Sequence, residues 1–352
     1  MSEHFDTRLK SNETLFTNET ALDYEYLPPI IKYRENQQHH IATCIQPLLQ
    51  KKTGRNLVIL GAPGIGKTAA IRAILRELEN ETQDVSCIYL NCWKKDSSFK
   101  LVCDICEQLG YTWTHNKRLD QLTKIVAQLI NKKAAVLVFD EIDKLEDNGL
   151  LYSLLEDVYR KTIILITNDQ AFLANLDQRV RSRLTPEILE FKPYKLEEVH
   201  GILNQRIEYA LAKNILSEEL LTIISKTTHE AADIRTGLYL LRETTLNAEA
   251  SGSKKIIQHH IDLALTKLRD FKAKAVAMLD EEERTILTLL SENSGALTKD
   301  VFVLYQHQGG KRSYRTFQRK IKDLIEGKYI TFQEIYHGEK GRMRKLDYFS
   351  DD

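Results

Sequence analysis

The chain has 352 residues, 42% of them hydrophobic, and its 50 Lys and Arg balance 50 Asp and Glu for a formal net charge of zero. That length predicts two or three domains with a real core; no apolar run of about 18 residues occurs, which excludes a helical membrane span, and zero net charge means that nucleic-acid contact must rest on local patches. Five scattered cysteines fit reduced thiols rather than a disulfide framework, and the start, Met1-Ser-Glu-His-Phe-Asp6, has no basic head and apolar core, so no secretory signal is expected.

Residues 1–28 read as a polar segment with a few apolar anchors, such as Leu22, Tyr24 and Leu27. From Pro29 to about Pro193, β and α patterns alternate. Strands are predicted over Asn56–Leu60, Ser86–Asn91, Ala134–Phe139, Ile163–Thr167 and Glu187–Phe191, with helices between them. Apolar, β-branched strands in that alternation indicate a parallel sheet covered on both faces.

Between the first strand and an amphipathic helix over Thr68–Leu78 stands Gly61-Ala62-Pro63-Gly64-Ile65-Gly66-Lys67-Thr68, followed by Ala69. It fits the phosphate-loop pattern G-x-x-x-x-G-K-[ST] at every fixed position. Backbone N–H groups and a helix N-terminus make such a loop an anion cradle. Lys67 is expected to reach the β/γ-phosphates of ATP, or the β-phosphate of ADP, and the Thr68 hydroxyl to ligate Mg²⁺.

Cys103 and Cys106 form a C-x-x-C, but they fall within a helical pattern with Phe99, Val102 and Leu109, so a packed helix face is expected there. Ala135-Val-Leu-Val-Phe-Asp140-Glu141 is an apolar strand ending in two acids. Asp140 is expected to hold Mg²⁺, directly or through water, and Glu141 to polarise the attacking water as general base. After the next strand comes Asn168, whose amide can orient that water; otherwise Asn168-Asp169 is a plain turn.

Gln178-Arg179-Val-Arg181-Ser-Arg183 is either a solvated basic face or the source of an arginine finger for a neighbouring subunit's nucleotide. Beyond Pro193 the strands stop. Helices are predicted over Lys195–Lys213, Ser217–Thr228, Ala232–Ala250 and Ile257–Ala277. In the third, Asp233 suits the first turn, and Arg235 is either a surface residue or a group reaching back over the γ-phosphate.

A third region begins near Asp280: helices over Glu281–Glu292, Thr298–His307 and Arg312–Glu326, then a hairpin of Tyr329–Tyr336 and Arg344–Phe349. Three helices and a hairpin make a winged-helix pattern. From Lys311 to Lys345 eleven basic residues face four acidic ones. Lys311, Arg312, Arg315, Arg319, Lys340, Arg342 and Arg344 are the candidate DNA contacts, with Arg312, Arg315 and Arg319 at helical spacing. Such a helix and wing fit a major groove and adjacent phosphates. The same domain could instead serve protein contacts.

Together these motifs resemble the AAA+ ATPases, and most of the chain resembles one branch: the replication initiators of the origin-recognition and cell-division-control family, especially the compact archaeal type. Tyr26-Leu-Pro-Pro-Ile-Ile-Lys-Tyr-Arg34-Glu35-Asn-Gln resembles the family's N-terminal motif against the adenine. Val136–Leu145 resembles its Mg²⁺ strand, Thr167-Asn168-Asp169 its sensor 1, Arg179–Arg183 its finger box with Arg183 as the finger acting in trans, and Asp233-Ile-Arg235 its sensor 2. Phe191-Lys-Pro-Tyr194 and Ile202–Arg206 resemble the start of its lid, so Tyr194 and Arg206 join the expected ATP contacts. Leu101–Leu129 stands where the family has a helical insert, but Thr112-Trp-Thr-His-Asn-Lys-Arg118-Leu replaces its glycine-containing text.

The resemblance implies an AAA+ parallel-sheet base over residues 1–192, a helical lid over 193–277 and a winged-helix domain over 278–352. It implies a slow, regulatory ATPase that binds double-stranded origin DNA, recruits or loads a replicative helicase and forms homo- or hetero-oligomers on DNA. Its place would be the cytoplasm and nucleoid of an archaeon, or the nucleus of a eukaryote. The alternative is another AAA+ machine, a clamp-loader-like remodeller or a signalling ATPase.

Overall fold

The computed structural model describes residues 14–327, 329–336 and 342–348. The described chain divides into two compact units, one up to Asp262 and one from Leu263. Elements of the first unit begin α1 (Glu35–Ile45), β1 (Leu57–Leu60), α2 (Lys67–Glu81), β2 (Val85–Asn91), α3 (Ser98–Gln108), α4 (Leu119–Ile130) and β3 (Ala134–Asp140). They continue with α5 (Gly149–Asp157), β4 (Lys161–Thr167), α6 (Phe172–Asn175), α7 (Gln178–Leu184) and β5 (Glu187–Glu190). The strands form a parallel sheet in the order β2-β3-β4-β1-β5.

Every residue of β3 and β4 is buried, which explains their unbroken apolar runs: both faces of the sheet are covered. Side chains alternate between two cores. Leu137 and Phe139 pack with residues of α3, α4 and α5, while Val136 and Val138 pack with those of α1 and α2. Cys106 lies in the first core with Cys103 packed against it, and both are free thiols, as the helical pattern predicts.

Three helices follow the sheet: α8 (Leu196–Ala210), α9 (Glu218–Glu230) and α10 (Ile234–Ala250). Ser217 and Asp233 cap α9 and α10 by accepting from Leu220 N and Arg235 N, the side-chain oxygens that helix starts favour. The N-terminal segment lies against these helices. Thr17 N donates to Ala210 O at 2.8 Å and Ala212 N to Leu15 O at 2.9 Å. Arg242 on α10 pairs with Glu19 at 2.6 Å and Asp23 at 3.2 Å.

Helix α11 (Gln258–Ala277) runs on into the second unit, which holds α12 (Glu281–Glu292), β6 (Ala296–Leu297), α13 (Thr298–His307), α14 (Tyr314–Glu326), β7 (Ile330–Tyr336) and β8 (Arg342–Tyr348). The antiparallel sheet order is β6-β8-β7, giving the expected winged helix. Strand β6 was not predicted, because two residues carry no period. The core joins Phe317, Ile321 and Leu324 of α14 to Leu290, Val301 and Leu346, and the Phe302 and Phe317 rings meet edge-on at 5.1 Å. Among the described residues no helix is long and apolar enough to cross a membrane.

Phe139 is completely buried in the central strand. Phe139→Ala should cost about 3–5 kcal/mol of unfolding free energy, as large-to-small changes in packed cores do. Denaturant titration of both proteins measures it; a loss below about 1 kcal/mol would mean that β3 is not the packed centre.

Candidate nucleotide-binding site

In the sheet order, β4 lies between β3 and β1. The carboxyl ends of these strands, Asp140, Thr167 and Leu60, therefore lie side by side, where ligands bind in open parallel sheets. The loop leaving β1 turns into α2 through Gly66, its left-handed N-cap with φ of 89°. Gly64 is also left-handed, with φ of 78°. A Cβ on Gly64 would lie 2.0 Å from the Asp233 carboxylate, and one on Gly66 would lie 2.6 Å from the Tyr194 hydroxyl. Glycine is required at both places, by backbone angle and by the close approach of Asp233 and Tyr194.

One cleft collects the predicted polar groups. Pro63, Gly64, Gly66, Lys67, Thr68 and Ala69 line it from the loop. Asp140, Glu141 and Asn168 line it from the strand ends, and Tyr194, Arg206 and Arg235 from beyond the sheet. Tyr24, Pro28, Ile31, Ile202 and Leu238 add apolar wall. Gly61 and Ala62 are not among the lining residues; their carbonyls accept from Lys67 Nζ at 2.6 and 2.8 Å. Ile65 is buried in the sheet core. Burial pushes Lys67 down to about 8, against the opposing pull of Asp140.

Thr68 Oγ1 donates to Asp140 Oδ2 at 2.7 Å. A hydroxyl and a buried carboxylate are the kind of oxygen donors that Mg²⁺ favours, so the pair fits that ion. Tyr89 OH donates to the same oxygen at 2.5 Å. Tyr89 escaped the sequence reading because it sits in β2, one strand beyond the motif; its register opposite Val138 is what brings it there. Glu141 follows with φ of 56°, a left-handed non-glycine residue. Partial loss of solvent, then Asp140 and Asp143, raise its carboxyl above the usual range. Thr167 Oγ1 donates to Asp143 Oδ1 at 2.6 Å, tying the end of β4 to the turn after β3.

Arg34 was read only as part of a motif, yet it is the most constrained cation of the site. It is 4% exposed. Its guanidinium donates to Ile65 O at 3.0 Å and Lys192 O at 2.8 Å and lies over the Tyr194 ring at 3.8 Å and the Phe191 ring at 5.1 Å. Burial raises the Tyr194 hydroxyl, opposed by Arg34. Arg206 borders the cleft, but its hydrogen bonds go to Ala21 O at 3.0 Å and Tyr26 O at 3.1 Å. It thereby ties the N-terminal segment to the wall of the cleft.

Arg183 is not among the cleft residues. It pairs with Glu156 at 3.1 Å and lies over the Tyr152 ring at 5.0 Å. In the second unit, Lys311, Arg315 and Arg319 are exposed. Arg312 corrects the expectation of a shared helical face: Ser313 is the N-cap of α14, so Arg312 precedes the helix, and it pairs with Glu282 at 2.9 Å. Arg342 and Arg344 fall on β8, opposite Tyr336 and Glu334. Lys340 and the hairpin tip lie outside the described residues.

The comparisons with known proteins agree with this arrangement. A family model for the AAA domain matches residues 50–173, and one for the Cdc6 AAA+ ATPase-type lid domain matches residues 200–266. The chain is 32% identical to ORC1-type DNA replication protein 2 of Methanothermobacter thermautotrophicus, over 96% of this chain and 93% of that one. Among solved structures it is similar to the Aeropyrum pernix ORC1 protein in complex with DNA, with TM-score 0.69, 23% identity and coverage of 97% and 95%. It is also similar to the Aeropyrum pernix ORC2 protein in its ADPNP-ADP complexes, with TM-score 0.72, 19% identity and coverage of 95% and 94%. At those identities the structural likeness is one of fold.

The Lys67 shift makes a pH prediction. A phosphate anion favours the protonated ammonium, so above about pH 8 the free protein must take up a proton to bind it. Affinity for ATP should stay level below that point and then fall by up to about tenfold per pH unit. Equilibrium binding across that range reads it, and an affinity that holds constant well above pH 8 would disprove the role of Lys67.

Proposed function

Because the chain belongs to the ORC1-type DNA replication proteins, we propose that it is an ATP-controlled replication initiator that binds origin duplex DNA and helps recruit or load the replicative helicase. The observation that carries the nucleotide half is the single cleft shared by the phosphate loop, Asp140, Glu141, Asn168 and Arg235. The loop amides and Lys67 would hold the β- and γ-phosphates, with Gly64 and Gly66 allowing the approach. Thr68 and Asp140 would hold Mg²⁺, which supplies charge neutralisation at the phosphates when bound. Glu141, with its raised carboxyl, suits a general base for water, and Asn168 would orient that water.

Asp233 and Tyr194 reach the phosphate loop, and Arg235 faces the same cleft. In the proposed switch, nucleotide state alters these contacts and thereby the lid, residues 193–277 in the proposed division, with the base as residues 1–192 and the winged helix as residues 278–352. Arg183, exposed and outside the cleft, would act on a neighbouring copy's nucleotide as an arginine finger. Turnover by one copy alone is then slow, and ATP serves chiefly as a conformational ligand. Lys311, Arg315, Arg319, Lys340, Arg342 and Arg344 are the proposed DNA contacts. Their concentration in one domain of a chain with zero net charge favours DNA over a signalling role.

Two experiments divide this reading. Lys67→Ala should lose ATP binding, whereas Glu141→Gln should bind ATP as the wild type does and turn over about 10²–10⁴-fold more slowly, the usual contribution of general-base catalysis. Undiminished turnover in Glu141→Gln would remove it from the reaction.

For DNA, the double variant Arg315→Ala, Arg319→Ala should bind duplex more weakly. Its slope of log affinity against log salt should be shallower by about 1.8, since each lost phosphate contact removes about 0.9. An unchanged slope would place the DNA contact elsewhere.

A further inference from the structure

Away from the nucleotide cleft, His40 and Cys44 on α1 meet Glu187, the first residue of β5. None of the three lines the cleft. His40 and Cys44 stand four residues apart, so the helix stacks them on one face. His40 Nε2 lies 2.9 Å from Glu187 Oε2, an ion pair when the ring is protonated, and Cys44 Sγ donates to the same oxygen at 3.8 Å. All three ligand atoms fall within 4.8 Å of one another. Around a tetrahedral zinc, with bonds of roughly 2.0–2.1 Å to N and O and 2.3 Å to S, the N–O edge is about 3.3 Å and the S–O edge about 3.5 Å. The two observed edges differ from these by a few tenths of an ångström, and the nitrogen–sulfur edge is no longer than 4.8 Å.

His40 Nε2 is shielded from solvent and makes no hydrogen bond, although the carboxylate oxygen is so near. Glu187 Oε1 is meanwhile held by Arg55 Nη1 at 2.6 Å, the kind of outer contact that orients a metal-bound carboxylate. Cys44 is fully buried, while the His40 and Glu187 side chains remain 39% and 33% exposed. A zinc held by three protein ligands takes a water as its fourth.

We propose that His40, Cys44 and Glu187 form a zinc site that clamps α1 to the sheet edge. A thiolate, an imidazole and a carboxylate together select zinc over the hard cations Mg²⁺ and Ca²⁺. The clamp joins two elements that both lead to the nucleotide. Arg34 is the N-cap of α1, and β5 runs into Phe191 and Tyr194, the rings over which Arg34 sits. An ion here would fix the far ends of both elements without touching the phosphates. The proposal stands on these residues alone, so it survives or fails independently of the nucleotide reading.

The test uses the full chain, stripped with a chelator, kept reduced and titrated with Zn²⁺ and with Co²⁺. One equivalent should bind. Cobalt should give a thiolate-to-metal charge-transfer band in the near ultraviolet, and zinc should raise Tm by binding the folded state. Cys44→Ser should abolish the band. His40→Ala, at a half-exposed position that leaves the fold intact, should weaken zinc binding by more than the roughly 10–100-fold that loss of an outer contact costs. Should Cys44→Ser fail to fold, Glu187→Gln takes its place, with the same loss of affinity expected. Absence of saturable binding by the wild type overturns the proposal, as does a charge-transfer band that persists in Cys44→Ser or an affinity unchanged in His40→Ala.

Discussion

Arg34 is the contact on which the arrangement of the site depends. A guanidinium that is 4% exposed would be costly unless its donors were met. Here they are met by the carbonyl of Ile65 inside the phosphate loop and that of Lys192 in the connection to α8. The ring of Tyr194 covers its face at 3.8 Å, a cation–π contact contributing about 0.5–2 kcal/mol. One residue thereby fixes the loop, the connection and the ring against one another. Lysine could not replace it, having neither the planar fork nor the flat face that stacks.

That constraint explains the glycines better than phosphate binding alone does. Arg34 holds Tyr194 in place, and its hydroxyl occupies the space where a side chain on Gly66 would stand. Asp233 does the same at Gly64 while capping α10, and Ile234 N donates to Gly64 O at 3.2 Å. The loop is bare where residues from beyond the sheet press on it. A phosphate entering the loop would meet a backbone already in contact with those residues, which is the physical basis for the proposed coupling between nucleotide and lid.

Much of this was legible in the sequence, for identifiable reasons. The strands announced themselves through the apolar runs Leu57–Leu60, Ala134–Phe139 and Ile163–Ile166, whereas the start of β4 was missed because its first two residues, Lys161 and Thr162, are polar yet buried. The phosphate loop and the Asp140-Glu141 pair were legible because their chemistry tolerates few residue types at fixed spacing. What depends on contacts distant in sequence was not legible. Tyr89 meets Asp140 across 51 positions, Arg206 meets Ala21 across 185, and Cys44 meets Glu187 across 143. No local pattern records these pairs; sheet register and helix docking create them. The unexpected start of α14 has a local cause, since Ser313 competes successfully to cap the helix.

Charge in the second unit shows how such pairing narrows a functional reading. Composition alone does not distinguish the cations between Lys311 and Lys345, and helical spacing groups Arg312 with Arg315 and Arg319. In the structure, Arg312 is taken by Glu282, and Lys320, largely buried, by Asp280, Glu282 and Glu283. The acids of the α12 cap and first turn thus consume two cations for internal structure, and α12 gains support at the end where its own dipole favours negative charge. Arg315 and Arg319 differ: both are exposed on α14, whose Phe317, Ile321 and Leu324 face the core. They are four residues apart and share a face, so two guanidinium groups stand ready on one side of a helix anchored from the other. Among the described residues neither is held by an ion pair, and a guanidinium in that state can donate bidentately to an anionic oxygen pair without first breaking an internal contact.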